Sequence, residues 1–293
     1  MTGERLRSGP TSEMLLDALE LAEVDPLLLD RAYTAVPQYV PWPKAYGGDT
    51  VAQAAAAAMR TVGEDRSLHS LHGSFLRPVE VGVPVRYEVE LLRDGRGFST
   101  RSVRGIQTEQ CVFVGTASFQ VPEEGPGYAP EMPRVPGPEE LPSAAERLAG
   151  VEGAAAAYWS SGRSFDHRHL PGPLYIRIEG GVQPHQAVWI RAFEALPDEP
   201  RLHQAALAYV CDYTILEPSL RALGLHWSSP GLMTASLDHG MWFHRAARVD
   251  DWLLYAQESA GVQSARGLSI GRFFSRGGEL VATVAQEGLL RLR

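Results

Sequence analysis

Hydrophobic and polar positions divide the chain into two passes of the same kind. Between residues 12 and 22 apolar positions recur at helical spacing. A Gly47-Gly48 turn then opens an alanine-rich segment, residues 49–61, that reads as a second helix with Asp49 as its N-cap. Runs at 69–76, 84–92, 98–108 and 110–121 read as strands, and Arg93-Asp94-Gly95-Arg96-Gly97 is a hairpin signal between two of them. The order then recurs. Strand-like runs at 174–179 and 187–194 lead into a helix from Pro200 to about Tyr213, with proline in the first turn, where its missing N–H costs nothing. Further strands are predicted at 233–243, 252–260, 264–275 and 279–291, with Gly277-Gly278 as a tight turn.

Between the passes, seven of the 21 prolines fall within residues 122–142. Proline removes backbone donors and fixes φ, so this stretch is neither a central strand nor a helix interior and reads as an extended linker. A short helix within 144–159 leads out of it. The expected organisation is therefore an N-terminal unit (1–121), a Pro-rich linker (122–150) and a C-terminal unit (151–293), in keeping with roughly 150 residues per domain. The halves also match in detail, as a duplicated unit should. His72-Gly73-Ser74-Phe75-Leu76-Arg77 resembles His239-Gly240-Met241-Trp242-Phe243-His244-Arg245, Ser99-Thr100-Arg101 resembles Ser264-Ala265-Arg266, and Gln120 stands where Gln286 does. One helix followed by antiparallel strands, twice, implies a sheet wrapped around a helix in each half, and small alanine side chains let the sheet approach closely.

Composition narrows the function classes. The formal net charge of −8 argues against nucleic acid as a partner. No apolar run approaches the ~20 residues of a membrane span, and the charged N-terminus has no signal-peptide h-region. Cys111 and Cys211 are too few for a disulfide framework and fit a cytoplasmic protein. Lys44 is the only lysine among 27 basic residues, which reads as coding bias before chemistry.

Familiar nucleophile and phosphate motifs (G-x-S-x-G, the P-loop, G-x-G-x-x-G after a strand) are missing from the sequence. The histidines make poor metal sites. His69 and His72 face opposite sides of a strand, and Asp166-His167-Arg168-His169 reads as an exposed loop without zinc-ligand spacing. The informative feature is an asymmetry: the second helix ends in Asp212 among Ala208, Tyr209, Val210 and Cys211, whereas the first has no such carboxylate after its cap. Asp212 is either a partly buried general base or a helix-end residue facing solvent. Ser236 and Gln286 interrupt otherwise apolar strands and are, singly, either site residues or structural hydrogen-bonders. Asp238 and His239 point to opposite faces as strand neighbours and, with His244 and Arg245, orient strands or meet ligand phosphate.

These residues lie in blocks that resemble the acyl-CoA thioesterase II (TesB-type) family: YGGDTVAQA, LHSLHGSFLRP, LRDGRGFSTRSV and TASFQ in the first half, and SLDHGMWFHR, DDWLLYAQESAG, ARGLSIGRFFSRGG and ATVAQEG in the second. The resemblance implies an α+β double hotdog, two antiparallel sheets each wrapped around a long helix. It also implies hydrolysis of fatty acyl-CoA to free acid and CoA without metal or redox cofactor, with Asp212, Ser236 and Gln286 at the family's catalytic positions. Ser236 stands where many members carry threonine, which keeps the hydroxyl and drops the methyl. The region 151–181 matches poorly. A homo-oligomer is left open, a non-catalytic acyl-CoA-binding or sensor protein of the same fold is the alternative, and a hotdog dehydratase ranks last because His203 and Asp212 are nine residues apart.

Overall fold

The computed structural model describes residues 12–293, so the first eleven positions of the charged N-terminus lie outside the described residues. The first half contains α1 (Glu13–Leu19), β1 (Ala22–Val24), β2 (Arg31–Ala35), α2 (Gly47–Met59), β3 (Ser67–Phe75), β4 (Val85–Asp94), β5 (Phe98–Gln107) and β6 (Gln110–Gln120). The second contains the short helices α3 (Ala144–Arg147) and α4 (Ala154–Ala157), then β7 (Phe165–Leu170), β8 (His185–Ala192), α5 (Pro200–Val210) and α6 (Glu217–Ala222). Strands β9 (Leu232–Ser236), β10 (Asp238–Phe243), β11 (Leu253–Gln263), β12 (Arg266–Ser275) and β13 (Leu280–Leu292) complete it.

Two separate sheets were expected; the strands instead hydrogen-bond into one antiparallel sheet, in the order β1-β2-β4-β5-β6-β3-β10-β13-β12-β11-β8-β7, with β9 beside β13. The halves join where the matched segments meet. β3 pairs with β10 so that His72 faces Gly240 and Gly73 faces His239. That reciprocal register is what a two-fold relation between the halves produces. A Cβ on Gly73 would meet the Phe113 ring at 2.2 Å, so glycine is needed at this crossing.

Inside the sheet α2 and α5 pack against each other. They run in opposite directions: Tyr46 at the start of α2 bonds the Tyr209 carbonyl near the end of α5, while Arg201 at the start of α5 bonds the Met59 carbonyl at the end of α2. Ala54, Ala55, Ala57 and Ala58 are all fully buried, which allows this close approach. Gly48 marks the tightest point, since a Cβ there would sit 2.2 Å from Tyr209 O. The apolar core runs continuously through both halves.

Several expectations need correction. Asp49 is not the N-cap of α2; Tyr46 is, and Asp49 lies buried inside the first turn. Its oxygens accept from Gln38 N (3.2 Å) and Nε2 (3.1 Å), and burial raises its pKa to about 7. Residues 165–170 form the buried strand β7 rather than an exposed loop, because their polar side chains have partners: Arg168 pairs with Asp166 (3.0 Å), and His169 Nε2 lies 3.3 Å from Glu217 Oε2. Residues 174–179 form no strand. The carbonyls of Leu174 and Tyr175 accept from Trp227 and Ser228 N–H instead of a neighbouring strand. The Pro-rich stretch has no regular structure from 121 to 137, yet it lies on the second half of the sheet. There Trp189 Nε1 donates to Pro136 O (2.9 Å) and Met132 and Val135 pack beside Trp252 and Phe274.

Candidate active site

Asp212 sits just past α5, where the helix tightens into a 3₁₀ turn over Cys211–Tyr213. The turn lifts Asp212 off the helix axis, leaving it half-buried while Cys211 beside it is fully buried. Ser236 ends β9. The expected single strand over 233–243 is broken at Leu237: Ser236 pairs with Gly288 while Gly240 pairs with Ala285, so the two registers along β13 differ by one residue. Such a bulge re-aims the side chains around it. Gln286, fully buried, projects from β13 opposite that bulge.

The three side chains singled out in the sequence meet. Ser236 Oγ donates to Asp212 Oδ1 at 3.0 Å, and Gln286 Nε2 donates to the same oxygen at 2.5 Å and to Ser236 Oγ at 3.0 Å. Both bonds to the carboxylate end on Oδ1. Oδ2 is turned to the start of α2, where a Cβ on Gly47 would stand 2.7 Å from it. The N-terminus of a long helix carries partial positive charge and unpaired N–H groups, so Oδ2 and the space beside it lie in a field that favours anions.

The surroundings are apolar and aromatic. Tyr46 stacks on Tyr213 at 4.2 Å, and the Tyr209 and Tyr158 hydroxyls lie 2.6 and 3.0 Å from that of Tyr213. Burial first, then the negative charge of Asp212, holds the Tyr46 pKa well above its ordinary value, so its hydroxyl stays a donor to Tyr209 O (2.7 Å). The same two causes push up the Cys211 thiol. Lys44, read from the sequence as coding bias, stands at this site, with Nζ donating to Thr234 O on β9 at 2.5 Å.

His239 was read as a strand-orienting or phosphate-meeting residue. It points inward, with Nδ1 2.8 Å from Gln286 Oε1 and Nε2 3.7 Å from Cys211 Sγ, and burial lowers its pKa. Its neighbour Asp238 faces outward, as strand alternation requires, and accepts from Glu287 N at 2.8 Å. His244 Nε2 lies 2.9 Å from Thr283 Oγ1 on the adjacent strand. No local pattern in the sequence marked His239, since its approach to Gln286 depends on the bulge at Leu237 and on the pairing of β10 with β13.

Comparison with known proteins agrees with this arrangement of elements. Residues 38–120 match the family model "Acyl-CoA thioesterase N-terminal domain" and residues 163–289 match "Acyl-CoA thioesterase". Acyl-CoA thioesterase 2 of Haemophilus influenzae is 34% identical over 284 residues, 94% of this chain and 96% of that protein. The solved structure of acyl-CoA thioesterase II TesB2 from Mycobacterium marinum superimposes with a TM-score of 0.76 at 36% identity, over 94% of this chain and 98% of that one. A protein with the hotdog fold from Alicyclobacillus acidocaldarius, 21% identical, superimposes with a TM-score of 0.75 over 94% of this chain and 97% of that one, and shows the fold alone. The chain has a hotdog fold and belongs to the acyl-CoA thioesterase family, a family of thioester hydrolases.

Proposed function

We propose that the protein hydrolyses fatty acyl-CoA to the free acid and CoA with a water molecule directed by Asp212, Ser236 and Gln286. The observation that carries this reading is the bonding of one carboxylate: Ser236 and Gln286 both hold Oδ1, which leaves Oδ2 aimed at the N-terminus of α2. A water between Asp212 and the thioester carbon gives its proton to the carboxylate as its oxygen bonds to carbon. Negative charge then develops on the former carbonyl oxygen, and in this reading the N–H groups at Gly47-Gly48, at the positive end of α2, receive it. Collapse breaks the C–S bond, and the CoA thiolate recovers the proton from Asp212. Thiolate leaves readily, so positioning and charge stabilisation carry most of the rate.

One site per chain is proposed, in the C-terminal hotdog, with residues 1–121 supplying the facing helix. At the other end of the helix pair, Thr61 stands two residues past α2 as Asp212 stands two past α5, with Arg101 Nε donating to its Oγ1 at 2.8 Å, and the end of α2 is covered by Arg201. Its guanidinium donates to the carbonyls of Met59 (2.9 Å), Val62 (3.3 Å) and Gly63. The two unpaired thiols support a cytoplasmic setting. No described helix is long and apolar enough to cross a membrane. Release of free thiol from a panel of acyl-CoAs tests the reading: wild type turns over and Asp212→Asn falls by about 10³-fold, within the range for loss of a general base. Tight acyl-CoA binding with no thiol release would assign the protein to the non-catalytic alternative.

A further inference from the structure

We propose that His239 is a positioning residue, held in its Nδ1–H tautomer, that fixes which way the Gln286 amide points at Asp212 and Ser236. This rests on the hydrolytic reading of the site and adds the element that keeps it in one state.

A primary amide can occupy its place in two orientations of nearly equal shape. In the observed one, both Gln286 N–H groups are used, one to Asp212 Oδ1 and one to Ser236 Oγ. The flipped one would set Oε1 against the carboxylate, acceptor against acceptor. Since Gln286 is fully buried, water cannot satisfy the wrong orientation, and the choice falls to whatever faces the other end of the amide. That is His239 Nδ1, at 2.8 Å from Oε1. A donor there selects the working orientation, and a bare nitrogen would select the other.

The short contact at Nδ1 sets the tautomer. His239 is 3% exposed, and its Nε2 faces the thiol of Cys211, one residue from Asp212. Cys211 donates its S–H to the Ala208 carbonyl at 3.2 Å, so the thiol does not choose the tautomer. Gln286 gives its N–H groups to Asp212 and Ser236, which turns Oε1 to Nδ1 and calls for the single proton of a neutral imidazole there. The charged and titratable groups near the ring are Asp212, Asp238, His72 and Cys211. The chain His239–Gln286–Asp212 thus has its donors and acceptors matched, from His239 Nδ1–H to Oε1 and from Gln286 Nε2 to Oδ1.

Steady-state kinetics on two substitutions test this. His239→Leu removes the donor, whereas His239→Asn keeps an N–H near the position of Nδ1. His239→Leu is expected to lower kcat by about 10²-fold with KM within about threefold, the scale of a misplaced positioning group. His239→Asn should restore kcat to within about fivefold of wild type, and in a Gln286→Ala background His239→Leu should cost no more than about threefold. Equal losses in the Leu and Asn variants, or the full loss persisting without Gln286, would overturn the proposal. The tautomer is also read without turnover, by long-range ¹H–¹⁵N spectra of ¹⁵N-histidine-labelled wild type, assigned with His239→Asn. The expected pattern is a protonated Nδ1 and a bare Nε2; an Nε2–H tautomer would refute the proposal even if His239→Leu does not fold. A wild type that shows the expected tautomer but releases no thiol would sink the hydrolytic reading and leave the positioning contact standing.

Discussion

Gly47 offers a way to disturb the site without touching any of its three side chains. A Cβ at this position would lie 2.7 Å from Asp212 Oδ2 and 3.4 Å from the Phe75 ring. To regain ordinary contact at about 3.4 Å the carboxylate must retreat by about 0.7 Å, and Phe75 closes the way for the methyl to yield instead. That retreat stretches or rotates the 2.5 and 3.0 Å bonds that Oδ1 receives from Gln286 and Ser236. Misplacement near 1 Å costs on the order of 10²-fold in rate, so Gly47→Ala should lower kcat by about 30- to 100-fold, roughly 2–3 kcal/mol in the barrier. Stability should change little, because the helix preference for alanine opposes the cost of displacing the carboxylate. Alanine favours a helix over glycine by up to about 1 kcal/mol, which for a chain of this size raises Tm by no more than about 2–4 °C. The assay pairs thiol release from acyl-CoA with a thermal melt of the same preparation. A Gly47→Ala protein with kcat within threefold of wild type would refute the claim that Asp212 must stand against the start of α2.

Other outcomes follow from the same geometry. Ser236→Ala should lower kcat by about 10- to 100-fold, whereas Ser236→Thr, which keeps the hydroxyl, should stay within about fivefold in the same thiol-release assay. Arg201→Leu should lower the melting temperature, by the equivalent of about 1–3 kcal/mol, because the carbonyls at the end of α2 lose a charged donor; activity per folded molecule should be unchanged. Burial holds the Asp49 carboxyl near 7 in the folded chain against an unfolded value of 3.8, so the folded state binds the extra proton between those limits. Stability should therefore fall as pH rises from about 4 to about 7, by up to about 4 kcal/mol. Asp49→Asn should flatten that slope in melts run across the range; an unchanged slope would remove Asp49 as its source.

What was legible in the sequence follows from what local pattern can carry. Alternation along β4, β5 and β12 and the alanine-rich face of α2 are properties of neighbouring residues, and these elements lie close to where they were expected. Strand β7 was misread because Asp166, His167, Arg168 and His169 look solvated until partners distant in sequence, such as Glu217, are in place. Residues 174–179 failed the opposite way: they alternate like a strand, but their carbonyls are claimed by the loop after α6. Asp49 looked like a cap because the turn before it is glycine-rich, yet the helix begins two residues earlier, at Gly47. In the site, Asp212, Ser236 and Gln286 were each visible as polar residues in apolar settings, while their meeting depends on a one-residue bulge at Leu237 that no periodicity marks. His239 was hidden for the same reason. Alternation separated it from Asp238, but only the pairing of β10 with β13 brings it to Gln286.

Rapid-quench kinetics on the wild-type protein, following CoA thiol and free acid together through the first turnover, tests the directed-water account most directly. If water attacks the thioester, thiol and acid appear at the same rate and no acyl group is found on the protein. A stoichiometric burst of thiol ahead of acid, with the acyl mass recovered on the peptide containing Ser236, would contradict it.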